Sequence, residues 1–256
     1  MVPGHAGRSA TGRKLRSSLL TALLVVGWLY LAAQAFAATP IGPTITYISN
    51  ETSTASGNGT ETTLAGGYIA VANLVANQVA DNWKGFVGNI TGGLALLDAQ
   101  GYQLYSWSVG TITGQVYAAR ANPVAWASLT CANIPNITLE EDSLGFTAAS
   151  APYDNISTTF FEAWDHSAFT AAGISFTADQ CNYSTRAYVN NSAPAGSDAD
   201  FEQIILTDGP NRVYTTLIEN NRWGFHTTWT FDYELLVPHN ATLSIATTYY
   251  LFVELV

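Results

Sequence analysis

From residue 67 onward, apolar residues come in short runs punctuated by Gly, Pro, Asn or Asp at intervals of roughly 8–15 residues, the spacing of strands in a sandwich or barrel. Past the first 37 residues, no segment sustains a 3.6-residue apolar period. The pattern predicts an all-β domain over residues 67–256, a single β-sandwich of jelly-roll or immunoglobulin-like type. Two hairpins are explicit. Leu94-Ala95-Leu96-Leu97 and Gln103-Leu104-Tyr105-Ser106-Trp107 flank a turn in which Asp98 accepts a local backbone bond and Gly101 takes positive φ. Phe201–Leu206 and Val213–Ile218 flank Asp208-Gly209-Pro210-Asn211, where Pro210 cannot donate to a ladder and so belongs in the turn. Tyr68–Val75 reads as a further strand, because Tyr, Ile and Val favour a pleated surface, with a helix, which its Ala, Leu and Asn would suit, as the rival. The last strands are expected at Thr228–Val237 and Leu243–Val253.

The first 66 residues follow other patterns. Arg8, Arg13, Lys14 and Arg16 precede an apolar run from Leu19 to Ala33, and Ala35-Phe36-Ala37 follows it. Basic, apolar and small-residue segments in that order make residues 1–37 a secretory signal peptide, with cleavage expected after Ala37 or Ala38. Left uncleaved, residues 17–37 reach the roughly 20 that span a bilayer, the one route by which this chain meets a membrane. A pilin-type leader is cut ahead of its apolar segment, whereas the small-residue site here lies behind it. Residues 38–66 are rich in Ser, Thr and Gly: an N-terminal strand at Thr44–Ile48 and then a linker of almost no apolar content. The expected destination is outside the cell, secreted or held at its surface.

Removing the leader changes the charge. Lys84, Arg120, Arg186, Arg212 and Arg222 then face all 19 acidic residues, which puts the formal charge of the remainder at −14. Nucleic acid needs basic clusters to displace phosphate counterions, so it is not an expected partner. Anionic membrane surfaces are equally poor ones. Cys131 and Cys181, an even pair in an exported chain, are expected to form a disulfide closing a loop of about 50 residues, worth about 4 kcal/mol in the chain-entropy model. Export also gives meaning to eight Asn-x-Ser/Thr acceptors for N-glycosylation: Asn50, Asn58, Asn89, Asn136, Asn155, Asn182, Asn190 and Asn240.

Candidate chemistry is sparse. The pentads Asn82-Trp83-Lys84-Gly85-Phe86 and Asn221-Arg222-Trp223-Gly224-Phe225 each combine Trp, a cation, Gly and Phe. Trp83 and Trp223 are candidates for stacking on sugars, weighed against packing at strand ends with the cation over a ring. Glu140, Glu141, Asp142, Glu162 and Asp165 supply carboxylates for glycoside hydrolysis only if two face each other across a cleft. Asp165-His166 has no Gly-x-Ser-x-Gly elbow to accompany it. Asp198-Ala199-Asp200-Phe201-Glu202 alternates carboxylates without the glycine of a calcium loop. No catalytic residue, metal site or cofactor is assigned.

The run Asn82–Gly92 with the hairpin that follows it, Val213–Asn220, and the terminal Tyr249–Leu255 resemble secreted and cell-surface all-β proteins of archaea. The resemblance implies an extracellular β protein and brings no active-site residues with it. The functional expectation is a non-enzymatic, glycosylated surface or extracellular structural protein. Its specific form is a filament subunit whose Thr44–Ile48 strand completes a neighbour's sheet, since sheet-edge addition needs only backbone hydrogen bonds. A carbohydrate-binding adhesion module is the alternative, and a secreted glycoside hydrolase the third reading.

Overall fold

Ile204-Ile205-Leu206 and Val213-Tyr214-Thr215-Thr216 are buried at every position, without the in–out alternation of a half-solvated strand. They form the middle of the main sheet. The computed structural model describes residues 39–53, 80–107, 112–146, 153–161, 166–193, 200–241 and 245–255. The strands are β1 (Trp83–Gly88), β2 (Leu94–Leu97), β3 (Gln103–Trp107), β4 (Gly114–Ala119), β5 (Thr130–Cys131), β6 (Phe169–Ala171), β7 (Ile174–Phe176), β8 (Ser184–Arg186), β9 (Glu202–Thr207), β10 (Arg212–Leu217), β11 (Arg222–Trp223), β12 (Thr230–Phe231), β13 (Tyr233–Pro238) and β14 (Tyr250–Leu255). Among the described residues two α-helices, α1 (Ile134–Leu144) and α2 (Ile156–Thr159), and a 3-10 turn at Trp126–Ser128 lie between the strands. The protein is therefore mostly β.

The six-stranded sheet runs β14-β4-β10-β9-β5, with β8 also on β9, and every pairing in it is antiparallel. Alternate residues serve two cores. Val116, Ala118, Ile205 and Tyr214 face Leu235 and Val237 of β13, Ile137 and Leu144 of α1, and Ile156 and Phe160. Tyr117, Ala119, Ile204, Leu206 and Val213 face Phe169, Ala171 and Phe176 of the β6–β7 hairpin, together with Val124 and Leu129. The first face is covered by the antiparallel pair β1–β13, in register Trp83↔Pro238 through Gly88↔Tyr233. Cys131 and Cys181 are bonded, 50 residues apart in sequence with Cα atoms 5.1 Å apart, and tie β5 to the segment leading into β8.

Both explicit hairpins form. In β2–β3, Asp98 Oδ1 accepts the amides of Gln100 (3.0 Å) and Tyr102 (2.7 Å), and Gly101 has φ +88°. In β9–β10, Asp208 Oδ1 accepts the Asn211 amide at 2.9 Å, with Pro210 inside the turn. Elsewhere the expectations need correction. The strand expected at Thr228–Val237 is broken at Asp232, whose carboxylate accepts the amides of Ile90 (2.7 Å) and Asn221 (2.9 Å) instead of letting β12 run into β13. The last strand starts at Tyr250, not Leu243. Residues 42–53 carry no strand; among the described residues of this segment, Ile41 pairs, with Val253. Tyr68–Val75, the linker from residue 54, Asn58, and the leader lie outside the described residues.

Helix α1 is the largest departure from the sequence expectation. Asn133 and Asn136 form a reciprocal capping box, each side-chain oxygen taking the other's amide at 3.1 Å, Pro135 sits in the first turn, and Gly145 caps the end at φ +74°. Its buried stripe is Ile137, Glu140 and Leu144. A carboxylate in the middle of that stripe hides the helical period. Glu140 is tolerated there because Arg120 grips it bidentately, Nε to Oε1 at 2.9 Å and Nη2 to Oε2 at 2.6 Å, and Tyr214 Oη adds a bond at 3.4 Å. This ion pair predicts an asymmetric mutational response. Arg120→Met strands the buried carboxylate and should cost about 2–4 kcal/mol, whereas the double variant Arg120→Met/Glu140→Met should recover most of that loss in urea unfolding.

Candidate functional site

The first candidate region is the outer edge of β14. Val253 exchanges both backbone bonds with Ile41, at 3.0 and 2.9 Å, so its N–H and C=O point away from β4. By the alternation of an antiparallel strand, Leu251 and Leu255 point their backbone groups the same way. Among the described residues, Ile41 alone pairs with this edge. From there the N-terminal segment reaches β1, where Lys84 Nζ donates to Asn50 Oδ1 at 2.6 Å. Between these two attachments Ile45, Tyr47 and Ile48 are 64%, 70% and 91% exposed. Leu251, Val253 and Leu255 are only partly buried against the first core. A sheet edge, an incompletely covered apolar margin and an exposed apolar segment thus meet at one place. The β2–β3 hairpin adds a further apolar surface: Leu96, Leu97, Tyr102, Leu104, Tyr105 and Trp107 are all exposed.

The second region is the β11–β12 loop. Trp223, Phe225 and Trp229 are exposed. His226 stacks on Trp229 with ring centroids 4.3 Å apart, and Phe225 stacks on Phe231 at 6.1 Å. The loop is held from three sides. The Gly224 amide donates to Trp229 O at 2.9 Å, the Phe225 amide to Glu234 Oε1 at 2.6 Å, and the amides of Asn190 and Asn191 donate to the carbonyls of Gly224 (2.7 Å) and Phe225 (2.8 Å). Position 224 must be glycine, since a Cβ there would collide with the Phe231 ring and the Glu234 carboxylate. The two pentads therefore diverge. Trp83 lies half-buried against Phe146 and Phe160, its indole N–H donating to Asp154 O at 2.7 Å, with Lys84 over the Phe86 ring. Trp223 offers its ring to solvent, while Arg222 pairs with Asp200. Trp229 and His226 were missed in the sequence, although the spacing Trp223-Gly-Phe-His-Thr-Thr-Trp229 concentrates four rings in seven residues.

Of the carboxylates considered for hydrolysis, Glu140 and Glu141 have structural partners. Glu140 holds Arg120, and Glu141 accepts the Ser157 amide at 2.7 Å. Asp142 is exposed, and Glu162, Asp165 and Asp198 lie outside the described residues. His166 is buried with Nε2 accepting the Cys181 amide at 2.9 Å and Nδ1 against Ser167 O at 2.8 Å, so both ring nitrogens serve the chain beside the disulfide. Asp200 pairs with Arg222, and Glu202 accepts the amide and hydroxyl of Ser167. Among the described residues, no three His, Cys, Asp or Glu side chains are grouped to hold a metal ion, and no helix is long and apolar enough to cross a membrane.

Of the acceptor asparagines, Asn50, Asn89, Asn182 and Asn190 are exposed. Asn136 and Asn155 use their side chains as helix caps, and Asn240 is half-buried. No protein-family model matches the chain, and no curated protein and no solved structure is significantly similar to it.

Two acids near the aromatic loop have displaced titrations. Burial pushes Glu234 up to about 7, partly offset by the Phe225 amide bond. Burial also pushes Glu219 up to about 7, with Asp200 adding to the rise and Arg222 opposing it. An acid whose folded pKa lies above its unfolded value holds its proton in the native state while the unfolded chain ionises. Stability therefore falls as pH rises from about 4.5 to about 7 and is flat beyond. The thermal midpoint should be several degrees higher at pH 5 than at pH 8, each kcal/mol being worth about 2–4 °C in a domain of this size. Glu234→Gln, neutral at every pH and still able to accept the Phe225 amide, should flatten part of that slope; an unchanged slope would exclude Glu234 as its source.

Proposed function

We propose that this protein is an exported, N-glycosylated, non-enzymatic subunit of a cell-surface or extracellular assembly, in keeping with the archaeal surface proteins it resembles. In this reading residues 1–37 are removed as a signal peptide, and the β1–β13 pair over the six-stranded sheet makes a sandwich left open at one margin. Copies join by strand addition, the apolar N-terminal segment of one copy extending the β14 edge of the next. The observation that carries the reading is the state of that edge, which the described part of its own chain engages through Ile41 alone while Ile45, Tyr47 and Ile48 stand in solvent nearby. An exposed edge strand templates pairing with another chain unless it is blunted, and here the outward positions Leu251, Val253 and Leu255 carry neither charge nor proline. The uncovered apolar hairpin β2–β3 supports the same reading, because a two-stranded ribbon is marginal in water alone and large exposed apolar patches mark contact surfaces. A second reading, carbohydrate-binding adhesion, draws on the exposed Trp223 and the His226–Trp229 stack.

The test compares three forms of the mature chain by light scattering and negative-stain microscopy: the parent, a form lacking residues 38–53, and Val253→Pro. Proline at 253 removes the N–H that bonds Ile41 O and points away from β4, so the β14–β4 ladder and the fold it belongs to should persist. The parent should polymerise and both altered forms should remain monomeric with unchanged circular dichroism. A monomeric parent, or altered forms that polymerise like it, would overturn the reading.

A further inference from the structure

The aromatic loop and one acceptor asparagine are fastened together. Val189 and Ser192 bridge, and between them Asn190 and Asn191 both have positive φ, +53° and +57°, the geometry of a type I′ turn, in which asparagine is among the residues that tolerate such angles. A turn of this kind needs nothing from outside. Yet its two free amides are spent on the carbonyls of Gly224 and Phe225, the residues between Trp223 and His226. The turn tip is thus docked on the backbone of the aromatic loop, and the loop is in turn held rigid by the Glu234 carboxylate beneath it. Asn190 is exposed, whereas Asn136 and Asn155 are half-buried with their side-chain oxygens accepting backbone amides in helix caps. It opens the sequence Asn190-Asn191-Ser192, an acceptor triplet. Trp223, Phe225 and Trp229 meanwhile expose 54%, 43% and 44% of their surface beside it.

We infer that Asn190 carries an N-linked glycan whose first sugars lie on the Trp223–Phe225–Trp229 surface of the same chain, so that this patch is a built-in glycan rest. The inference rests on the reading of the protein as exported and glycosylated. In the transfer, the Asn190 amide nitrogen bonds the anomeric carbon of a lipid-phosphate-linked oligosaccharide. The bond from that carbon to the phosphate oxygen breaks, the lipid phosphate leaves, and the amide proton passes to the transferase's base. The attached sugar starts from a residue whose own amide is bonded to the Gly224 carbonyl, between Trp223 and Phe225. Pyranose faces present C–H groups of partial positive charge, which suit the negative faces of Trp and Phe rings. A tethered ligand also meets its site at high effective concentration, so a weak contact suffices for steady occupancy. Neutral sugars carry no charge for this acidic chain to repel. Stacking would cover these exposed rings, and Gly224 and Glu234 would then serve to shape the rest as well as the loop.

The experiment uses the full chain exported from a host with N-glycosylation, mapped by glycopeptide mass spectrometry, with acrylamide quenching of tryptophan fluorescence as the second readout. Quenching is measured on the parent, on the parent after enzymatic removal of its glycans, and on Ser192→Ala, which destroys the acceptor triplet but leaves Asn190 and the turn in place. Asn190 should be occupied, both treatments should raise quenching, and the rise should vanish when Trp223→Phe and Trp229→Phe are combined with them. Glycans at Asn50, Asn89 or Asn182 with none at Asn190 would overturn this inference and leave the glycoprotein reading standing. A chain with no glycan at all would overturn both. An occupied Asn190 with unchanged quenching would overturn the stacking.

Discussion

The β4–β10–β9 ladder is buried on both faces, and that double burial organises everything around it. A strand that lines two cores cannot alternate apolar with polar, so Gly114–Ala119, Glu202–Thr207 and Arg212–Leu217 read as dense, mixed runs. Each face then needs a cover. The β1–β13 pair with α1 supplies one, and the β6–β7 hairpin with the disulfide-linked segments supplies the other. Burial of polar side chains is the consequence, and several find partners from distant parts of the chain: Glu140 in Arg120, Glu254 in the Tyr117 hydroxyl at 2.5 Å and the Ala172 amide at 2.8 Å, Gln203 in the Leu236 amide at 2.7 Å.

The ladder must also end. On the β9 side it ends under β5 and β8, which the Cys131–Cys181 bond fixes in place. On the β14 side it ends at a row of outward backbone groups that, among the described residues, pair with Ile41 alone. The two edges are therefore unequal, one closed by covalent and hydrogen-bonded structure and one left able to accept a strand. In the proposed reading, one acceptor edge and one apolar segment are the minimum equipment for head-to-tail growth, which closes into a ring or runs on as a filament according to the rotation at each contact.

What could be read in the sequence was what local chemistry decides. Asp98 and Gly101 specify one hairpin, and Asp208 with Pro210 specifies the other, because each turn is closed by its own side chain. The cysteine pairing followed from there being two. Helix α1 was illegible because Glu140 occupies its core stripe and its partner Arg120 is 20 residues away, a contact no periodicity reveals. The break at Asp232 was hidden for the same reason, since its amide partners come from Ile90 and Asn221. For the candidate sites, the exposure of Trp223 against the packing of Trp83 is set by what lies opposite each: Phe146 and Phe160 for the one, solvent for the other. The N-terminal segment showed its apolar character in the sequence, but its place beside β14 is a tertiary fact.

The central claim is that the outer edge of β14 becomes paired along its length when copies associate. Amide hydrogen exchange on Leu251 and Leu255, compared between dispersed and assembled protein, reads this directly. In the dispersed chain both amides should exchange fast while Val253, bonded to Ile41, is slower; in the assembly all three should be protected together. Leu251 and Leu255 amides that stay fast in the assembled state would contradict the account.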